Sequence, residues 1–190
     1  MKTKFIFCIS ALLFFSACMF YSFKGSLPAH IHSISLAPII NESTEFSAAE
    51  ILNEELNRLM VGENVLDIVA PDQADSKLAV IITSVMDSPY TISLSDVMGM
   101  EEVEEWRITI STRVTWYDIK KDEILIEKKM SGWGVYSPGV DISTDNLDND
   151  GDNLIDSEDS DEVGSPRESA IIISARRLTE DIVSEITNTW

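Results

Sequence analysis

The clearest pattern in this chain is a strict alternation between residues 106 and 116. Trp106, Ile108, Ile110, Val114 and Trp116 fall on one side of an extended segment, and Arg107, Thr109, Ser111, Arg113 and Thr115 fall on the other. A period of two sends successive side chains to opposite faces, so this stretch predicts a strand with one buried and one wet face. Glu123 to Trp133 is expected to pair with it as a hairpin through the turn at Lys120-Lys121-Asp122. Lys77 to Met86 is apolar on both faces, with Leu78, Val80 and Ile82 against Ala79, Ile81 and Val85, as a strand inside a sheet would be. Residues 88 to 104, rich in Asp, Glu and Gly, read as a loop. A first strand is expected over Ile31 to Ile40, with Pro38 at its end or at a sheet edge. Asn64 to Val69 reads as a short strand before a turn at Ala70-Pro71-Asp72.

Two segments carry helical spacing. Ser47-Ala48-Ala49-Glu50 has the form of a capping box, with Phe46 and Ile51 placed to form a hydrophobic staple. The helix it opens is expected to run to about Met60, with Ile51, Leu52, Leu56 and Leu59 on one side and Gly62 ending it. Near the end of the chain Ser165 can cap a helix, Pro166 fits its first position, and Glu168 completes the box. Ile171, Ala175, Leu178, Ile182 and Ile186 then form an apolar stripe able to cover a sheet. The order β-α-(β)-β-β-β-α predicts an α+β two-layer sandwich: a mixed or antiparallel sheet of about four strands, with both helices on one face.

The first residues have a different character. Lys2 and Lys4 precede an almost wholly apolar run from Phe5 to Phe15, and Ser16-Ala17 places small residues before Cys18. This is the layout of a signal peptide over residues 1–17, and an apolar run of eleven residues is too short for a permanent span, which needs about 20. Phe15-Ser16-Ala17-Cys18 resembles the lipobox of bacterial lipoproteins, with Phe15 in place of the usual Leu. That resemblance implies a covalent lipid on Cys18 and a membrane-anchored segment over residues 18–30. It also implies a place in the outer membrane, since Met19, and no aspartate, follows the cysteine. Cys8 and Cys18 are the two cysteines of the chain, so the part beyond Cys18 has no disulfide and must rely on a packed core.

Charge narrows the partners. After Cys18 there are 12 Lys and Arg against 33 acids, a balance of −21 that argues against nucleic acid, whose phosphates require clustered bases. Residues 141 to 162 hold ten of those acids and no base. Within them, counting from Asp148, carboxylates fall at positions 1, 3, 5, 9 and 12, as Asp148, Asp150, Asp152, Asp156 and Asp159. Leu154 at position 7 can offer its carbonyl, and Gly151 and Asn153 tolerate a tight turn. Calcium takes six to eight hard oxygen ligands, so this spacing predicts a Ca2+ site. The run resembles EF-hand loops and, more closely, the aspartate-rich repeats of thrombospondin type 3, because position 12 is Asp and no helices plainly flank it. Bound calcium would order the insertion, about residues 139–164, and pin the crossover from the last strand to the last helix. His30 and His32 could form a metal pair on one strand face, but no third ligand is indicated. No phosphate loop or nucleophile elbow is present, and an enzyme is not expected.

Two further stretches carry a family resemblance. Phe20-Tyr21-Ser22-Phe23-Lys24-Gly25-Ser26-Leu27-Pro28 leads into the first strand, and Ser131-Gly132-Trp133-Gly134-Val135-Tyr136-Ser137-Pro138 follows the last. With Pro38 and the residues from Asn41 to Phe46, they resemble the LptE family of lipopolysaccharide-assembly lipoproteins. The resemblance spans residues 31–190 as a single domain, interrupted by the acidic insertion. It implies a non-enzymatic plug and assembly partner for a large LptD-type β-barrel. Contact with lipopolysaccharide would be part of that role, although no basic residue aligns with a family lipid-binding position. The competing expectation is a calcium-stabilised scaffold lipoprotein of the periplasm or outer membrane, unrelated to lipopolysaccharide export.

Overall fold

The alternation between residues 106 and 116 is realised as part of a strand much longer than the pattern itself. In a computed structural model, which describes residues 27–94, 101–139, 154–155 and 165–188, this strand runs over Glu101–Asp118. The elements in chain order are β1 (Ser33–Leu36), β2 (Ile40–Asn41), α1 (Ala48–Glu63), β3 (Asp67–Ile68), β4 (Ser76–Leu94), β5 (Glu101–Asp118), β6 (Glu123–Tyr136) and α2 (Pro166–Asn188). The sheet order is β3-β1-β4-β5-β6, with β2 also paired to β4. β1 and β2 lie parallel to β4, while β4, β5 and β6 are antiparallel. The α+β class with helices packed on a mixed sheet is as expected, but the sheet has six strands rather than about four.

Four local expectations are corrected. Residues 88–104 are not simply a loop, because β4 continues to Leu94 and β5 begins at Glu101, paired as far as Leu94 with Glu101. This ribbon lies beyond the helices, and where both faces are wet no apolar alternation marks a strand. The first strand is two pieces, since Pro38 lacks an N–H for the ladder and interrupts it between Leu36 and Ile40. Helix α1 passes through Gly62 and stops at Asn64, whose φ of 47° is left-handed. Its entry also differs: Ser47 makes no capping bond and donates instead to Glu45 Oε1 at 3.0 Å, and Phe46 is 89% exposed, so no staple forms.

The core lies between the helices and one sheet face. Ile108, Ile110, Thr112, Val114 and Trp116 of β5 are buried, as are Leu78, Val80 and Ile82 of β4. Above them pack Leu52, Leu56 and Met60 of α1 with Ile171, Ala175, Leu178, Ile182 and Ile186 of α2. The stripe expected on α2 is therefore the buried one. Its predicted cap also forms, with the Glu168 N–H donating to Ser165 Oγ at 3.3 Å.

Gly132 and Gly134 face α2, and a Cβ at either would collide with the helix backbone. Their bare backbone lets α2 lie directly on β6. Among the described residues no helix is long and apolar enough to cross a membrane.

Candidate functional site on the open face of the sheet

The helices leave the opposite sheet face uncovered, and the odd-numbered residues from Glu105 to Tyr117 of β5 and from Glu127 to Val135 of β6 point into it. Thr109 stands across from Trp133, and Arg107 across from Val135. The Arg107 guanidinium lies over two aromatic rings, 4.3 Å from the centre of Tyr90 and 4.6 Å from that of Trp133. The rings are 6.2 Å apart and tilted by 36°. A second cation reaches the same indole from α2. The Arg177 guanidinium stacks 4.6 Å from the Trp133 ring, and its Nη1 donates to the Trp133 carbonyl at 3.0 Å. Two arginines and two aromatic rings thus form one stack around the edge strand.

Ring faces carry negative potential and attract cations, but they do not neutralise them as a carboxylate would. Among the described residues no acid forms an ion pair with Arg107, and its Nε is buried without a hydrogen-bond partner. Arg113 and Lys129 sit opposite each other on the same face, and exposed Lys77 lies further along β4. Among the described residues between Glu105 and Tyr117 on β5 and between Glu127 and Val135 on β6, the acids of this face, Glu105 and Glu127, are fewer than its bases, Arg107, Arg113 and Lys129. Glu105 accepts a hydrogen bond from Thr91 Oγ1. A strongly acidic chain therefore presents one locally basic, aromatic surface. Tyr90 at 47%, Trp133 at 39% and Met86 at 65% exposure leave it open to a ligand.

Cys18, Asp148, Asp150, Asp152, Asp156 and Asp159 lie outside the described residues, and Leu154 is exposed. Among the described residues no group of three potential metal ligands converges. His30 and His32 do not act together: the His30 ring binds the buried Asp118 carboxylate, and exposed His32 gives its backbone N–H to Asp75 at 2.9 Å. Burial by itself would raise the Asp118 carboxyl, but His30 and the backbone N–H groups of Lys121 and Lys120 outweigh it and hold it below the usual range. Lys120, together with the His32 N–H, holds Asp75 far below that range.

The aromatic–arginine stack was missed by sequence reasoning. Its members lie on four separate elements, and the one available signal was Arg107 and Trp133 on wet positions of neighbouring strands.

A family model described as LptE, lipopolysaccharide-assembly, matches residues 31–188. Among solved structures the chain is similar to the hypothetical protein CT253 from Chlamydia trachomatis, with 14% identity and a TM-score of 0.53, covering 82% of this chain and 95% of that one. It is also similar to a neuraminyllactose-binding hemagglutinin homolog from Helicobacter pylori, with 14% identity and a TM-score of 0.50, covering 89% and 90%. At such identity these likenesses speak for the fold alone. No curated protein sequence matches the chain.

Proposed function

The chain belongs to the LptE family of lipopolysaccharide-assembly proteins, and on that premise we propose that it is the plug and assembly partner of a large LptD-type β-barrel. The role is one of binding and not of catalysis. The observation that carries it is the family match over residues 31–188, which takes in every strand and both helices. The open sheet face supports the same reading. A barrel lumen is polar and wet, so a plug buries one sheet face in its own core and keeps the other solvated.

On this reading the stack around Arg107 is the part of the surface that meets lipopolysaccharide. A guanidinium held between two rings with no acidic partner is positioned for a phosphate, and exposed indole and phenol rings suit the faces of sugars. Arg113 and Lys129 extend the basic surface along the same face. Cys18 carries a covalent lipid, which seats the protein at the periplasmic side of the outer membrane with its domain in the barrel lumen. Asp148, Asp150, Asp152, Asp156 and Asp159, with the Leu154 carbonyl, bind calcium and order the interior of the acidic segment.

The test is to tag the C-terminus, extract native envelopes in mild detergent and identify stoichiometric partners by mass spectrometry. An LptD-type barrel in equal amount supports the plug reading. Recovery of the lipoprotein alone, from detergent shown to preserve barrel complexes, overturns it and leaves a lipid-anchored scaffold.

A further inference from the structure

The acidic segment lies in the chain between Gly139 and Ser165, and one carboxylate ties together the elements that flank it. Tyr136, near the end of β6, donates its hydroxyl to Asp87 Oδ1 at 2.9 Å. Arg167, in the first turn of α2, donates to both oxygens of the same group, from Nε to Oδ1 at 3.3 Å and from Nη2 to Oδ2 at 3.0 Å. Its remaining arm, Nη1, reaches Glu45 Oε2 at 2.7 Å in the turn before α1. Four elements that are distant in sequence therefore meet in one clamp: the entry to α1, β4, β6 and the start of α2.

Among the described residues, the other features that place α2 also lie outside the segment. Ser165 supplies the cap, Gly132 and Gly134 supply the contact with β6, and the apolar stripe from Ala170 to Ile186 supplies the burial. Leu154 and Ile155, the two residues of the segment that the structure describes, are 41% and 40% exposed and take no part in the core.

We infer that Asp87, Tyr136, Arg167 and Glu45 form a clamp that closes the domain between β6 and the start of α2, making residues 140–164 an insert on which the fold does not depend. The crossover from β6 to α2 is pinned by this clamp, and calcium is left to act inside the insert. Burial, and then the Asp87 carboxylate, push the Tyr136 phenol above its usual range, so it remains a hydrogen-bond donor at neutral pH.

The experiment replaces residues 140–164 of the otherwise complete chain by Gly/Ser linkers of about six and about twelve residues, flexible enough to close a short gap. At least one shortened chain is expected to keep the near-ultraviolet circular dichroism of the parent and to melt within about 4 °C of it, with or without calcium. Failure of both to fold, or a larger loss in both, overturns the inference. Asp87→Asn is then compared in the parent and the shortened chain. It is expected to lower both melting points by the same amount. An effect that disappears along with the insert would show that the clamp serves the insert and not the domain.

Discussion

A Cβ built on Gly132 of β6 would lie 2.0 Å from the carbonyl oxygen of Ser174 on α2. Two residues on, the same construction at Gly134 meets the Ala170 carbonyl at 2.4 Å. Both obstacles are helix backbone, which cannot rotate aside as a side chain could. Gly132→Ala is therefore expected to push α2 off the sheet and cost about 3 kcal/mol, at the upper end for overpacking. Urea unfolding measures this as a lower midpoint at unchanged slope. An unshifted midpoint would mean that the helix can give way freely.

Acid sensitivity should centre on Asp118 and Asp75. Both carboxyls are held below their ordinary value in the folded protein. Their contribution to stability is thus complete above the unfolded value of about 3.9 and is lost as pH falls below it. Asp118→Asn is expected to cost about 1–3 kcal/mol at pH 7, because it weakens bonds to His30 and to two backbone N–H groups. The variant should also lose stability less steeply than the parent below about pH 4. Parallel pH profiles for the two proteins would remove Asp118 from this role.

Binding to lipopolysaccharide micelles should depend on the stack. Arg107→Ala is expected to weaken it by about tenfold or more, the effect of losing one charged hydrogen bond. Trp133→Leu should weaken it less while leaving the fold intact, since the indole is a partly exposed ring. Light scattering or calorimetry with purified lipopolysaccharide reads the difference. Equal affinity for parent and Arg107→Ala would move the contact elsewhere.

Calcium binding should require the regular acidic spacing. Asp150→Asn with Asp152→Asn removes two formal charges and two strong ligands, and is expected to abolish measurable binding at millimolar calcium. Isothermal titration of both chains provides the comparison. Identical isotherms would leave the acidic segment without a metal.

Membrane attachment should follow a single atom, the Cys18 sulfur. Cys18→Ala is expected to move the protein from the detergent phase to the aqueous phase of a cloud-point separation and to end its incorporation of labelled fatty acid. Retention in the detergent phase without that label would point to another means of attachment.

The parts of the fold that could be read in advance share one feature. Wherever an element buries one face, as β5 does from Ile108 to Trp116 and α2 does from Ile171 to Ile186, its apolar period is written in the chain. Where burial is absent the signal fails. The outer ribbon of β4 and β5 carries no apolar period because neither face packs on the core, although the backbone ladder continues through Thr91 and Glu105. Pro38 carried the correct signal at half strength: it marked a break, and the chain resumed as β2 beyond it.

The sequence by itself determined the class of fold, the stripe that α2 buries, the cap at Ser165, the turn between β5 and β6, and a family likeness that the match over residues 31–188 bears out. These rest on residues near one another in the chain, where spacing alone decides which side chains share a face. Only the tertiary structure decided that Tyr90, Arg107, Trp133 and Arg177 form one stack, and that Asp87 receives both Tyr136 and Arg167. These groups lie on separate elements. Their meeting depends on strand order, on three shifts in the register between β4 and β5, and on a helix brought onto the sheet by two glycines. Spacing along the chain does not encode such coincidences, because they are set by how whole elements pack.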